Sequence, residues 1–179
     1  MRIIAGSRKG ARIFAPRGRE TRPTADRVRE AAFNLIGPVD GARVLDLYAG
    51  SGAMGLEALS RGAGHVVFVD DDRAAVAAVR RNLDRLGLHG SELVRADAVG
   101  RLAAEARAGR RYDLVLIDPP YRMVNQSLLA LAPYLASVLA PDGLVVVESG
   151  ASEQPELPLP LRTSRGYGST RLTVFEAAE

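Results

Sequence analysis

Short apolar runs alternate with amphipathic stretches through most of the chain. The runs at residues 43–47, 65–70 and 112–117 have the length and the β-branched content of buried strands. Between them, apolar residues recur at helical spacing, as in residues 73–86. This alternation predicts an α/β fold whose mainly parallel sheet carries helices on both faces. The pattern further predicts strands at 92–95 and 144–148 and helices at 53–61, 99–108 and 125–139.

Both ends of the chain show hairpin patterns. Two short extended runs, 2–5 and 11–15, flank a turn-rich connection at Ser7-Arg8-Lys9-Gly10. Near the other end, the runs 161–165 and 171–175 flank Gly166-Tyr167-Gly168. Thr24 can cap a helix whose apolar positions recur at helical spacing up to Ile36. We therefore divide the chain into a basic N-terminal hairpin extension, residues 1–23, and one domain, residues 24–179.

The composition fits one ordinary globular domain. The chain has 179 residues, of which 47% are hydrophobic and 25% are charged. No apolar run approaches the ~18 residues of a spanning helix, and the apolar stretch after Met1-Arg2 is too short for a signal peptide. We therefore expect a cytoplasmic protein without a membrane partner.

Cysteine is absent from the sequence. The chain therefore has no disulfide, no thiolate zinc site and no cysteine nucleophile. The two histidines, His65 and His89, have no carboxylate or second histidine at ligand spacing. We accordingly expect no metal.

Positive charge is concentrated at the beginning of the chain. Residues 1–30 carry a net charge of +6, although the whole chain carries only +3. A basic arm on a slightly acidic body is typical of a polyanion-binding protein, and a solvated basic surface is the alternative. The candidate RNA-binding residues of this arm are Arg2, Arg8, Lys9, Arg12, Arg17, Arg19 and Arg22.

A glycine-rich loop follows the first predicted strand of the sheet. Gly50 and Gly52 let the backbone approach a ligand, and the next helix presents free N–H groups to it. The run Gly50 to Gly55 also satisfies the dinucleotide fingerprint, so a nicotinamide oxidoreductase is a rival interpretation. Asp46 favours a ligand with a cationic amino group, since its charge would repel a pyrophosphate. The candidate cofactor residues here are Asp46, Tyr48, Ala49, Gly50, Ser51 and Gly52.

Acidic residues also follow the next two predicted strands. Asp70 can accept both hydroxyls of a ribose, whereas helix capping is the simpler role for Asp71 and Asp72. Asp97 could take an adenine amino group and the backbone of Ala98 a ring nitrogen. A plain N-cap is the alternative role for Asp97.

The most specific motif is Asp118-Pro119-Pro120-Tyr121, at the end of a predicted strand. Ligands of open parallel sheets gather at the carboxyl ends of strands, which brings this motif beside the glycine-rich loop. The Asp118 carboxylate and the Pro119 carbonyl can hold the two hydrogens of an exocyclic amine and orient its lone pair. Tyr121 would stack on an unstacked base.

With these motifs, the chain resembles the class I methyltransferases that carry Asp/Asn-Pro-Pro-Tyr, and within them the RsmD family. The similarity extends to Arg22-Pro23-Thr24, Arg27-Val28-Arg29-Glu30, Leu56 to Ala63 and Tyr167-Gly168-Ser169-Thr170. The resemblance implies a seven-stranded Rossmann-like sheet of order 3-2-1-4-5-7-6, with the last strand antiparallel. It also implies S-adenosylmethionine as cofactor, with Thr24 and Arg27 near it. The chain departs from the family at Asp70, where glutamate is commoner.

The implied reaction is methylation of a guanine N2 in 16S ribosomal RNA of the small subunit or its assembly intermediate. Methylation of adenine N6 and a non-catalytic assembly factor are the alternatives. Methylation at carbon 5 of a pyrimidine requires a cysteine nucleophile, which the chain does not have. Intact Asp46, Gly50, Gly52 and Asp118 argue against a degenerate site.

Overall fold

The computed structural model describes residues 1–15 and 26–178, and of Tyr121 it describes the backbone alone. These residues form five α-helices and one sheet of seven strands. The helices are α1 (Asp26–Ile36), α2 (Ala53–Ser60), α3 (Arg73–Leu86), α4 (Ala98–Arg107) and α5 (Val124–Val138). The strands are β1 (Arg43–Leu47), β2 (His65–Asp70), β3 (Ser91–Arg95), β4 (Tyr112–Ile117), β5 (Leu139–Gly150), β6 (Leu161–Tyr167) and β7 (Thr170–Glu176).

The strand order is β3-β2-β1-β4-β5-β7-β6, which confirms the predicted fold class and strand order. The first five strands pair in parallel. A helix connects each of the first four strands to the next one along the chain. Strand β7 runs antiparallel to both of its neighbours, β5 and β6. A short turn joins β6 to β7, so these two strands form the predicted C-terminal hairpin.

Two apolar layers cover the two faces of the sheet. Alternate side chains of a strand point to opposite faces, so Val44 enters one layer and Leu45 the other. One layer joins the sheet to α1, α2 and α3. The other layer joins it to α4 and α5. Burial on both faces explains why β1, β2 and β4 are nearly continuous apolar runs in the sequence.

The predicted N-terminal hairpin is not confirmed as a pair of strands. Its two arms meet at one isolated antiparallel bridge, between Arg2 and Arg12. Two backbone hydrogen bonds form the bridge, from the N–H of Ile3 to the carbonyl of Ala11 at 2.9 Å and from the N–H of Ile13 to the carbonyl of Met1 at 3.2 Å. A 3-10 turn, Gly6–Arg8, replaces the end of the hairpin. Gly6 is required there, because a Cβ would lie 1.7 Å from the carbonyl oxygen of Ser60.

This N-terminal segment packs into the body of the protein. Ile3 and Ile13 are buried in the same apolar layer as α1, α2 and α3. The carboxylate of Glu57 in α2 accepts hydrogen bonds from the N–H groups of Ile4 and Ala5 at 2.8 and 3.0 Å. Residues 1–15 therefore contribute to the core of the domain, and the division at residue 23 stays a prediction.

The observed elements differ from the predicted ones mainly around β5. The strand begins at Leu139 rather than at residue 144, and its register against β4 shifts between Tyr112 and Leu114. Asp142 takes a positive φ of 61° at this irregularity, between Pro141 and Gly143. In the described part of the chain, no helix has the length and apolar character to cross a membrane.

Candidate functional site

The candidate residues from three strands lie at one edge of the sheet. In the parallel register, Leu47 of β1 pairs with both Val69 of β2 and Ile117 of β4. The segments that follow these three positions therefore leave the sheet side by side. They contain the glycine-rich loop, Asp70 and Asp118, which the sequence predicted to be neighbours.

The loop after β1 has a backbone that depends on its glycines. Gly50 and Gly52 have φ angles of 56° and 78°, in the left-handed region. A Cβ on Gly52 would also lie 3.0 Å from a methyl carbon of Val79 in α3. Tyr48 takes a φ of 62°, an uncommon conformation for a residue with a side chain. Such strained positions concentrate at ligand sites.

Neighbouring elements hold the ends and the middle of this loop. Ser127 of α5 lies beside the hydroxyl of Tyr48, and burial raises the pKa of this phenol. The N–H of Ala49 donates to Val69 at 3.0 Å. The carbonyl of Ser51 accepts a hydrogen bond of 3.0 Å from the side-chain amide of Asn82 in α3. Sequence reasoning missed Asn82, since its helical position shows no sign of this contact.

Asp70 supports the glycine-rich loop directly. One carboxylate oxygen accepts the N–H of Gly50 at 2.8 Å, and the other accepts the N–H of Asp72 at 2.9 Å. Asp70 is buried at the end of β2. A carboxylate oxygen is the kind of acceptor that a ribose hydroxyl requires.

Asp46 belongs to β1, and its side chain contacts the first turn of α2. Its carboxylate is buried and accepts the N–H of Gly55 at 3.0 Å. A Cβ on Gly55 would meet the ring of Phe68 at 2.3 Å, so glycine is required for this approach. Burial raises the pKa of Asp46 to about 7, and the charge of Asp70 adds to the increase. A cationic group beside Asp46 would favour its ionised form.

Asp97 and Ala98 lie at the start of α4, after β3. The Asp97 carboxylate is exposed and accepts the N–H of Gly100 at 2.7 Å, so Asp97 is the N-cap of the helix. Ala98, the first residue of α4, has an N–H outside the hydrogen-bond ladder of the helix. Arg27 is exposed in the first turn of α1, and Thr24 lies outside the described residues.

The Asp118 motif continues directly from β4. Asp118 is partly buried, Pro119 is buried and Pro120 is exposed. Tyr121 begins a 3-10 turn, Tyr121–Met123, that leads into α5. Burial raises the pKa of Asp118 well above its ordinary value, and the charges of Glu148 and Asp46 raise it further.

Glu148 belongs to this edge but was missed in the sequence. It is a buried carboxylate near the end of β5, with 7% of its surface exposed. Its sequence signal is an acid that ends the apolar run Leu144 to Val147. In the described part of the chain, no group of three or more His, Asp or Glu side chains is arranged to hold a metal ion.

The predicted RNA-binding residues have different environments. Arg2 pairs with Asp26 at 3.1 Å. Arg8 donates hydrogen bonds to the carbonyls of Leu86 and Gly87, where α3 ends, which is a structural use of its charge. Lys9 and Arg12 are exposed. Arg17, Arg19 and Arg22 lie outside the described residues.

Known proteins resemble this chain over most of its length. The model of a family described as conserved hypothetical protein 95 matches residues 1–176. A Bacillus subtilis (strain 168) protein named "Putative rRNA methyltransferase YlbH" is 40% identical over 185 residues, which cover 98% of each chain. Ribosomal RNA small subunit methyltransferase D of Escherichia coli (strain K12) is 38% identical over 152 residues, covering 83% of this chain and 74% of that protein. The solved structure of Escherichia coli yhhF is 33% identical, with a TM-score of 0.85 and coverage of 99% and 97% of the two chains.

Proposed function

The chain belongs to the RsmD family of methyltransferases, and we propose that it methylates the exocyclic N2 amine of a guanine in 16S ribosomal RNA. S-adenosylmethionine is the methyl donor in this proposal. The observation that carries this proposal is the position of Asp118. It follows β4, which pairs with β1, and the glycine-rich loop follows β1. A methyl donor in the loop and an amine on Asp118 would therefore be neighbours.

The residues around the loop fit the chemistry of this cofactor. Asp46 offers a carboxylate to the cationic amino group of the methionine part. Asp70 offers acceptor positions to the ribose hydroxyls, and the N–H of Ala98 offers a donor to the adenine ring. When bound, S-adenosylmethionine supplies a methyl group on a positively charged sulfur. The same acids disfavour a pyrophosphate, which argues against the rival nicotinamide cofactor.

Asp118 and Pro119 perform the positioning step at the amine. The carboxylate of Asp118 and the carbonyl of Pro119 accept the two amine hydrogens, which directs the nitrogen lone pair toward the methyl donor. Two consecutive prolines hold that carbonyl in a fixed direction. Tyr121 stacks on the base in this mechanism, since a base in a helix must leave its stack to reach the site.

The proposed substrate is the small ribosomal subunit or an assembly intermediate of it. The RNA-methyltransferase names of two relatives support RNA, and the small-subunit name of one supports 16S ribosomal RNA. The basic N-terminal segment provides phosphate contacts in this proposal, mainly through Lys9 and Arg12, which are exposed. Cytoplasmic location follows from that substrate.

The decisive experiment is methyl transfer to small subunits from a strain that lacks the gene, followed by mass spectrometry of the digested nucleosides. We expect one N2-methylguanosine for each 16S molecule. N6-methyladenosine in its place would overturn the choice of guanine. Absence of transfer to both free 16S ribosomal RNA and subunits, by protein that binds S-adenosylhomocysteine, would overturn the proposed reaction.

A further inference from the structure

We propose that Glu148 is a specificity-determining residue of this site, accepting the ring N1–H of the guanine whose N2 amine Asp118 holds. This inference rests on the proposed function, since it concerns the same base at the same site. In this proposal Glu148, the buried acid of β5, makes the site select guanine over adenine.

The register of the sheet brings the two acids to one level. Ile117, the last residue of β4, pairs with Val147 of β5 in parallel. The residues that follow this pair are Asp118, directly after β4, and Glu148 of β5, which places the two acids at the same level of the sheet edge. Neighbouring strands are about 4.8 Å apart, a separation that two groups on one edge of a base can bridge.

The two acids also lie on the same face of the sheet. Ile117 and Val147 both point into the layer formed with α4 and α5. Because successive side chains alternate between the faces, Asp118 and Glu148 both point to the opposite face. Asp46 lies on that face too, since Leu45 and Leu47 on either side of it enter the α4 and α5 layer.

Electrostatics agree with this arrangement. Glu148 is the charge that most raises the pKa of Asp118, ahead of the charge of Asp46. Glu148 is itself buried, so its carboxylate acts where water screens charge weakly. Donors from a bound base would favour the ionised form of Asp118.

The pair of neighbouring acceptors matches guanine and opposes adenine. Guanine presents an N1–H donor next to its N2 amine, whereas adenine presents an N1 acceptor next to its N6 amine. A carboxylate opposite an N1 lone pair leaves two buried acceptors facing each other without a hydrogen, which is costly. Asp118 therefore holds an amine of either base, and Glu148 rejects adenine in this proposal.

The test uses a base that keeps the N2 amine of guanine but has an N1 lone pair, which is 2,6-diaminopurine. It replaces the modified guanine, once mapped, in 16S ribosomal RNA reconstituted into small subunits. We expect the wild-type protein to prefer guanine by about 100-fold or more in kcat/KM. In Glu148→Gln, whose amide also donates, the preference should fall to about 10-fold or less.

Two further variants separate selection from structural damage. Glu148→Asp keeps the charge and should keep a preference for guanine, and the exposed Glu156→Gln should leave both rates unchanged. All variants should bind S-adenosylhomocysteine as the wild type does. An unchanged preference in Glu148→Gln would overturn the role of Glu148 while leaving the proposed function intact. Absence of guanine methylation by the wild type would instead overturn the proposed function.

Discussion

The side-chain amide of Asn82 pairs with both backbone groups of Phe14. Its oxygen accepts the Phe14 N–H at 2.8 Å and its nitrogen donates to the Phe14 carbonyl at 2.9 Å. The same nitrogen donates to Ser51 in the glycine-rich loop at 3.0 Å. Asn82 is fully buried, so one side chain connects the N-terminal segment, α3 and the loop away from water.

Asn82→Ala should destabilise the protein and disturb the loop. Three backbone groups would lose their partner, and we expect a loss of about 2–4 kcal/mol in the free energy of unfolding. Denaturant unfolding measures that loss, and Asn34→Ala, an exposed helical position, is the control with a change within about 0.5 kcal/mol. A loss no larger than that of the control would show that the Phe14 and Ser51 contacts contribute nothing.

Asp46 should make folding depend on pH. Its pKa is raised from 3.8 to about 7 in the folded protein, so the folded state keeps a proton that the unfolded state releases. Stability contributed by Asp46 therefore falls as pH rises through this interval. Asp46→Asn removes the dependence, and its stability relative to the wild type should increase from about pH 4 to about pH 7. Denaturant unfolding at both ends measures this, and a constant difference would contradict it.

Asp70→Ala should weaken binding of S-adenosylhomocysteine. The variant removes the proposed ribose acceptor and the partner of the Gly50 N–H, and we expect a loss of about 2–3 kcal/mol in binding free energy. Calorimetry measures the affinity. Asp72→Ala is the matched control, because Asp72 caps α3 through the N–H of Ala74 and should lose about 1 kcal/mol of stability at nearly wild-type affinity. Equal affinities in the two variants would remove Asp70 from the binding site.

Asp118→Ala should slow the chemical step far more than it weakens cofactor binding. A preorganised acceptor contributes mainly as the methyl group transfers, so we expect the single-turnover rate to fall about 100-fold or more. Tyr121→Ala should mainly weaken capture of the base, by about 1–3 kcal/mol, and Tyr121→Phe should be mild because the ring face holds the base. Wild-type transfer by Asp118→Ala would refute this mechanism. Equal damage from both Tyr121 variants would identify the hydroxyl as the working group.

Lys9→Gln and Arg12→Gln should each weaken RNA binding and reduce its salt dependence. Each lost phosphate contact should reduce the slope of log affinity against log salt by about 0.7–0.9. Deletion of residues 1–15 would remove Ile3 and Ile13 from the core, so point variants are the cleaner test of these charges. Arg107→Gln, exposed at the end of α4, is the control with an unchanged slope. If the Lys9 and Arg12 variants behave like it, the basic segment is an ordinary solvated surface.

The periodicity of the chain was sufficient to predict the central elements. The strands β1, β2 and β4 are short, mainly apolar runs, and helices such as α3 have a 3.6-residue pattern, so both signals are local. The order of the strands in the sheet came from the resemblance to a family and was confirmed by the structure. The N-terminal hairpin failed as a prediction of strands because contacts with α2 and α3, far along the chain, decide the path of residues 1–15.

Buried polar contacts over long sequence separations required the tertiary structure. Glu57 and Arg29 are both fully buried, and 3.6 Å separates the Glu57 carboxylate from the Arg29 guanidinium. From sequence alone, charged residues in a helix are expected to face solvent. Burying a charge is costly unless it is paired and hydrogen-bonded. Glu57 has such partners in Ile4 and Ala5, which are distant in sequence.

The sequence by itself determined which residues follow the strands: the glycine-rich loop, Asp70, Asp97 and the Asp118 motif. Their order along the chain and the rule that parallel strands end at one edge were sufficient to group them. The tertiary structure alone decided that Ile117 and Val147, the residues before Asp118 and Glu148, pair with each other, and that Asn82 contacts Ser51. Strand register and helix packing set these contacts, and both depend on how the whole core fills rather than on any local pattern.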